Sequence, residues 1–183
     1  MKKAILFLAD GFEEIEAITT IDILRRASIE CETCSIEDTR TVKGAHAISV
    51  QADILLSPDM STRYDAMILP GGIQGAKALS NCRPVLNLIR KMLSEDRLVA
   101  AICAAPIVLR EADVLRGRKV TSFPGVLISD GSFEYSEDPV VTDGNLITSR
   151  GPATAPAFAF EIVSYLGFPD VAERLKGVML YRQ

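Results

Sequence analysis

Continuous apolar runs alternate along the chain with stretches in which apolar positions recur every three or four residues. "KAILFLA" is such a run, as expected of a strand covered on both faces. From about Glu13 to Ala27 the spacing becomes helical, with Ile15, Ile18, Ile21, Ile23 and Leu24 as the apolar face. "CETCSIE" reads as a second strand, and "AISVQADILLS" as one or two short ones. "YDAMILP" is a buried strand ending at Gly71-Gly72. "RPVLNLIRKMLSED" is a helix with proline near its first turn, where proline is tolerated. "RLVAAIC" is again a strand, followed by a helix and by "RKVTSF".

Farther on, "VVTDGNLITSRG" predicts a β-hairpin, because Asp143-Gly144 is a strong turn signal between β-branched flanks. "TAPAFAFEIVSYLG" predicts a helix ended by Gly167, and "DVAERLKGVML" a last helix with Asp170 as N-cap. Strands alternating with helices through short connections predict a doubly wound α/β sandwich around a mainly parallel sheet. Sites in such sheets gather beyond the carboxyl ends of the strands. Three segments end a strand in something chemically unusual: "LADGFEEIE", "ILPGGIQGA" and "AAICAAP". This architecture brings all three to one edge.

Composition narrows the picture. The 183 residues are expected to form one domain. A chain of this length buries roughly 70% of its unfolded surface, so it needs no disulfide staples. A net charge of -4 without a basic block disfavours nucleic acid as the main partner. The two lysines before the first apolar run resemble a signal peptide, but the run is too short and acidic residues follow at once. No stretch approaches the roughly 18 apolar residues of a membrane span. A cytoplasmic protein is expected.

Cys103 is the centre of the candidate chemistry. Ala101-Ile102-Cys103-Ala104-Ala105 has the small-x-nucleophile-x-small spacing of a nucleophile elbow, with alanine where hydrolases usually carry glycine. Small residues are needed there because strand and helix backbones nearly touch at so sharp a turn. A cysteine at a helix N-terminus would be favoured as thiolate, and the Ala104 N–H would point at an anion. Gly71 and Gly72 could add N–H groups to an oxyanion hole, although a lone GG is ordinarily just a turn. The spacing G-G-x-x-G is not a dinucleotide fingerprint. Glu13 and Glu14 read as compensation of the helix dipole. Glu16, flanked by Phe12 and Ile15, could turn inward; beside a thiolate it would hold a proton and donate a hydrogen bond to the sulfur.

The remaining candidates are bland. Cys31 and Cys34 lie three apart in a strand, so they face opposite ways and read as structural. No second CxxC completes a zinc site. Cys82 reads as a loop or helix-start thiol without a role. The single histidine, His46, reads as a solvated loop residue, leaving a Cys-His triad without a partner.

The stretches "LADGFEEIEA", "TIDILRRASI", "MILPGGIQGA", "AAICAAP" and "LITSRGPAT" together resemble the ThiJ/PfpI superfamily, in the clade of the parkinsonism-associated deglycase and its YajL-type bacterial relatives. They occur in order over nearly the whole chain. The resemblance implies a flavodoxin-like sandwich, usually a homodimer, formed by residues 1–183 as one ThiJ/PfpI-type domain. It implies catalytic Cys103 and Glu16, with Gly71, Gly72 and Ala104 around the sulfur and Arg26 near the site and dimer region. Two departures stand out: "TSFP" puts Phe123 where some members have histidine, and Ala153 stands where glycine is common. Ala104 after the cysteine, where PfpI-type proteases have histidine, argues against proteolysis.

Cysteine-dependent glyoxalase or deglycase chemistry on methylglyoxal, glyoxal and their early adducts on amines and thiols is the implied activity, with no metal or organic cofactor. The alternative is a non-catalytic redox sensor or chaperone that uses oxidation of Cys103, since an accessible low-pKa thiol also oxidises readily.

Overall fold

The computed structural model describes residues 1–57, 60 and 63–182. The first strand, β1 (Lys3–Leu8), leads into α1 (Glu14–Arg26), then β2 (Glu30–Ser35) and three short strands: β3 (Thr41–Lys43), β4 (Ser49–Gln51) and β5 (Ile54–Leu55). Next come β6 (Ala66–Leu69), α2 (Ile73–Asn81), α3 (Arg83–Ser94), β7 (Leu98–Ile102) and α4 (Pro106–Glu111). The chain ends with β8 (Lys119–Val120), β9 (Glu134–Tyr135), β10 (Val140–Asp143), β11 (Leu146–Ser149), a 3-10 turn (Pro152–Thr154), α5 (Ala155–Tyr165) and α6 (Pro169–Val178).

Among the described residues, seven strands form one sheet in the order β10-β11-β7-β6-β1-β2-β5. All neighbours are parallel except β10 with β11, the hairpin turned at Gly144 with φ +57°. Counting only β1, β2, β6, β7 and β11, the order is 2-1-3-4-5, that of the flavodoxin-like doubly wound fold. Strand residues alternate between two cores, as a period of two demands: Ala4, Leu6 and Leu8 pack on one face, Ile5, Phe7 and Ala9 on the other. Helices α1, α5 and α6 cover the first face, and α2, α3 and α4 the second. Cys31 and Cys34 fall in different cores, on opposite faces of β2.

Several elements depart from the sequence reading. Ile15 and Ile18 are 56% and 43% exposed, so they are not part of the buried face of α1. That face is Ala17, Thr20, Ile21 and Leu24, with Ile23 at its edge, and it extends through Glu16. The isoleucines at 15 and 18 lie on the neighbouring stripe. Helix α2 was hidden because its N-terminus follows a glycine pair and its first turns hold small residues. Asp170 sits inside the first turn of α6 behind Pro169 and does not cap it; Phe168 occupies the cap position. Strands β3, β8 and β9 are too short to show a period.

Candidate active site

In this strand order the chain reverses direction between β1 and β6, where an open α/β sheet leaves a crevice. The segments leaving β1, β6 and β7 meet there. Gly11 and Gly72 turn the first two with φ of +84° and +87°. A side chain at Gly72 would strike the Gly11 carbonyl and lie 2.7 Å from the Glu13 nitrogen. Glu13 N–H in turn donates to the Gly71 carbonyl at 3.0 Å. Only bare backbone allows this approach.

Cys103 stands at the end of β7 with φ +64°, a left-handed conformation that costs a non-glycine residue about 1–3 kcal/mol. Its backbone is held from two sides: its N–H donates to Ser149 at 2.9 Å and its carbonyl accepts from Phe123 N–H at 2.9 Å. This is the expected elbow, but its helix is shorter and later than anticipated. Helix α4 begins at Pro106 and runs six residues, so its dipole contributes little at the sulfur. The Ala104 and Gly72 N–H groups, expected to serve an oxyanion, hydrogen-bond the sulfur itself.

Beneath the sulfur lies Glu16, wholly buried. Its Oε2 accepts from the Gly71 N–H at 2.7 Å, while Oε1 is buried without a hydrogen-bond donor. A Cβ on Gly71 would sit 2.6 Å from Oε2, 2.7 Å from the Cys103 Cβ and 3.0 Å from the Ala104 nitrogen. Glycine is what lets carboxyl and thiol meet. Burial raises Glu16 to about 7; the Cys103 and Gly71 hydrogen bonds oppose this and the Glu13 charge adds to it. Burial pushes the Cys103 thiol up to about 12, helped by the charge and acceptor oxygen of an ionised Glu16 and opposed by the Ala104 and Gly72 amides. Both groups are thus shifted against carrying charge together, and the pair retains a proton at neutral pH.

The sulfur opens into a cavity of about 420 Å³ lined by Gly11, Glu13, His46, Gln74, Phe123 and Val126, among others. His46 is the exposed loop residue that the sequence predicts, and a contact the sequence does not show joins it to Glu14 behind the pocket wall. His46 stands at the pocket wall, with Nδ1 2.9 Å from Glu14 Oε2. Glu14 is buried and is more than a counter-charge to the helix: Oε1 accepts from the His46 N–H at 2.7 Å. Neither role has a local sequence signature, because the two residues lie 32 positions apart and meet only when the 44–48 loop folds over α1. Ligand atoms of Glu13, Glu14 and His46 lie within 4.8 Å of one another, a set that could hold a cation, but Nδ1 of His46 is already engaged with Glu14.

Of the residues singled out in the sequence, Cys103, Glu16, Gly71, Gly72 and Ala104 are brought together. Arg26 is not: it lies at the far end of α1, exposed and paired with Asp22 at 2.6 Å. Ten residues of helix separate it from Glu16, about 15 Å. Phe123 is a pocket wall, half exposed, and Ala153 is a surface position in the 3-10 turn. Cys82 caps α3 with its backbone and takes no part in the pocket.

The sequence profile described as the DJ-1/PfpI family matches residues 2–165. The chain belongs to the DJ-1/PfpI family. Protein dj-1beta of Drosophila melanogaster is 39% identical over 183 residues, covering 98% of this chain and 97% of that protein. Its crystal structure superposes with a TM-score of 0.94 at 36% identity, over 100% of this chain and 99% of the other. Another DJ-1/PfpI relative, named a deglycase, from Pyrococcus horikoshii, is 37% identical over 167 residues, covering 90% of this chain and 99% of its own. Oxidised DJ-1 of Toxoplasma gondii superposes with a TM-score of 0.94 at 31% identity, over 100% of both chains. The fold of the DJ-1/PfpI relatives is therefore also the fold of this chain.

Proposed function

We propose that the protein is a cysteine-dependent, cofactor-independent enzyme of glyoxalase or deglycase type. It acts on methylglyoxal, glyoxal and their early adducts on amines and thiols, in protection against carbonyl and oxidative stress. The observation that carries this reading is the Cys103–Glu16 pair facing an open pocket, in a family that includes a protein named a deglycase.

Charge is better placed on Cys103 than on Glu16. The carboxyl is wholly buried with one N–H donor, whereas the sulfur is partly exposed and receives two. Glu16 therefore holds the proton, and Cys103 attacks as thiolate. Addition to an aldehyde carbon forms a C–S bond and moves the carbonyl electron pair onto oxygen. With the charge shifted to that oxygen, the Gly72 and Ala104 amides are its nearest donors. Hydrogen then moves from the aldehyde carbon to the neighbouring carbonyl carbon, giving a thioester. Water cleaves the thioester to a 2-hydroxy acid and the free thiol. One carbon is oxidised and its neighbour reduced, so the balance needs no external oxidant or cofactor.

Lactate formed from methylglyoxal by wild type and Cys103→Ser is the test. The expected result is loss of all lactate above the uncatalysed rate in Cys103→Ser. Equal rates would end the catalytic reading.

A redox-sensing or chaperone role is the second reading. The two amides aimed at the sulfur would stabilise a sulfinate as well as a thiolate, and a relative has been solved in oxidised form. For the assembly we propose a homodimer through the exposed Ile15, Ile18 and Ile48. The cytoplasm, where thiols stay reduced, suits four free cysteines. No helix among the described residues is long and apolar enough to cross a membrane.

A further inference from the structure

Turnover of a dicarbonyl needs proton transfers on the substrate as well as at the sulfur. A carbonyl oxygen in the pocket must gain a proton when Cys103 adds, and a carbon-bound hydrogen must move to the next carbon. Glu16 sits beneath the sulfur, wholly buried and hydrogen-bonded to Gly71, and it does not line the pocket. Phe123, on the pocket wall, exchanges no protons. Among the described residues, the titratable groups that line the pocket are Glu13, His46 and Cys103.

The loop that carries His46 is built around one carboxylate. Glu14 Oε1 accepts from His46 N–H at 2.7 Å and lies 3.5 Å from Ile48 N, and Oε2 meets His46 Nδ1 at 2.9 Å. Ala45 N–H ties the loop to the Phe12 carbonyl at 2.8 Å, next to the Gly11 turn. Ala47 takes φ +65°, a strained conformation for alanine, and a side chain at Gly44 would collide with the Glu14 carboxyl. These contacts hold the loop backbone, and the Nδ1 bond to Glu14 orients the imidazole. No hydrogen bond to another described residue engages Nε2, and the ring is 69% exposed at the pocket wall.

We propose that Glu14 and His46 are the acid–base pair of this pocket, acting on the substrate side while Glu16 serves the sulfur. The inference rests on the dicarbonyl-enzyme reading. Glu14 is the positioning residue: as acceptor for Nδ1–H it leaves Nε2 to face substrate. As the C–S bond forms and the carbonyl π pair moves to oxygen, Nε2–H gives that oxygen its proton. The neutral imidazole then takes the proton from the former aldehyde carbon, whose C–H electron pair becomes the double bond of an enediolate as the neighbouring carbonyl pair moves onto its oxygen. It returns that proton to the adjacent carbon while the proton of the first hydroxyl passes to the second oxygen, which leaves the thioester and a neutral imidazole. The water that cleaves the thioester is the one co-reactant: its hydroxyl goes to the acyl carbon, its proton restores Nε2–H, and the thiolate leaves. The hydrogen bond to Glu14 and the charges of Glu13 and Glu14 raise His46 above the ordinary imidazole value, so the donor form persists toward neutrality.

Methylglyoxal turnover against pH in wild type, C103S, H46Q and H46A tests this, with NMR titration of the single histidine in wild type and E14Q. H46Q is expected to lower kcat about 100-fold, with KM little changed, and to erase the limb of the pH profile that follows the ring titration. Free imidazole should restore part of the H46A activity, and E14Q should lower the His46 pKa. Wild type no faster than C103S would overturn the functional reading and this role with it. An active wild type matched by H46Q in kcat and pH profile would overturn the inference alone. H46Q alters an exposed side chain, so it decides the matter even where E14Q fails to fold.

Discussion

The backbone N–H of Gly71 donates to Oε2 of Glu16 at 2.7 Å, and that bond distinguishes the two carboxyl oxygens. Oε2 is committed as an acceptor, while Oε1 is buried with no donor. A buried acceptor without a donor is unfavourable, whereas protonation turns Oε1 into a donor, and the Cys103 thiol is the side chain that hydrogen-bonds this carboxyl. The glycine turn after β6 thus decides which carboxyl oxygen is left for the proton, while burial, against the pull of this bond, keeps the proton on the carboxyl.

The same proton makes folding stability depend on pH. A free glutamate carboxyl ionises at 4.5, whereas burial raises Glu16 to about 7 in the folded chain, so the buried Glu16–Cys103 pair gives up its first proton only there and the native state binds an extra proton between these values. Its stabilisation is complete below pH 4.5 and is lost as pH rises through 7, a total of about 3 kcal/mol. Carboxylates held low, such as Asp53 and Asp65, act in the opposite sense and lose their contribution on acidification. Urea unfolding of wild type and Glu16→Gln from pH 4.5 to 8 separates the two, because the difference between the proteins carries only the Glu16 slope. A difference that does not change over this range would refute the raised Glu16 pKa.

Gly71→Ala should weaken both fold and site. Its Cβ would press on the Glu16 carboxyl at 2.6 Å and on the Cys103 Cβ at 2.7 Å, so the pair must part. Overpacking of this kind costs about 1–3 kcal/mol. Thermal melting and the rate of thiol alkylation should fall together; a substitution neutral in both would show that the contact is not tight.

Cys31 and Cys34 should stay silent in the folded chain. Burial pushes both thiols to about 12, and they face different cores. Brief alkylation followed by peptide mapping should mark Cys103 first and leave these two unmodified until unfolding. A Cys31–Cys34 disulfide under mild oxidation would contradict the strand geometry.

How far this could be read from sequence depends on whether the decisive contacts follow from strand order. The meeting of Gly71, Glu16 and Cys103 was legible because each follows or flanks the carboxyl end of a parallel strand, and topology brings such ends together. The opposite facing of Cys31 and Cys34 followed from the strand period, and the Asp143-Gly144 hairpin from its turn residues. The buried stripe of α1 was not legible, because one of its members is a glutamate and two isoleucines lie outside it. His46 was missed for a different reason: its place depends on the Glu14 carboxylate collecting the 44–48 loop, a contact with no periodic or motif signature. The helix-dipole account of the thiol failed because α4 starts three residues after the elbow.

Ionisation of Cys103, followed by thiolate absorbance against pH in wild type with Cys103→Ser as blank, tests the central claim most directly. With Glu16 holding the proton, the thiolate should form well below the free-thiol value of about 8.5. A thiol that stays protonated above that value, as it must beside an ionised Glu16, would contradict the account.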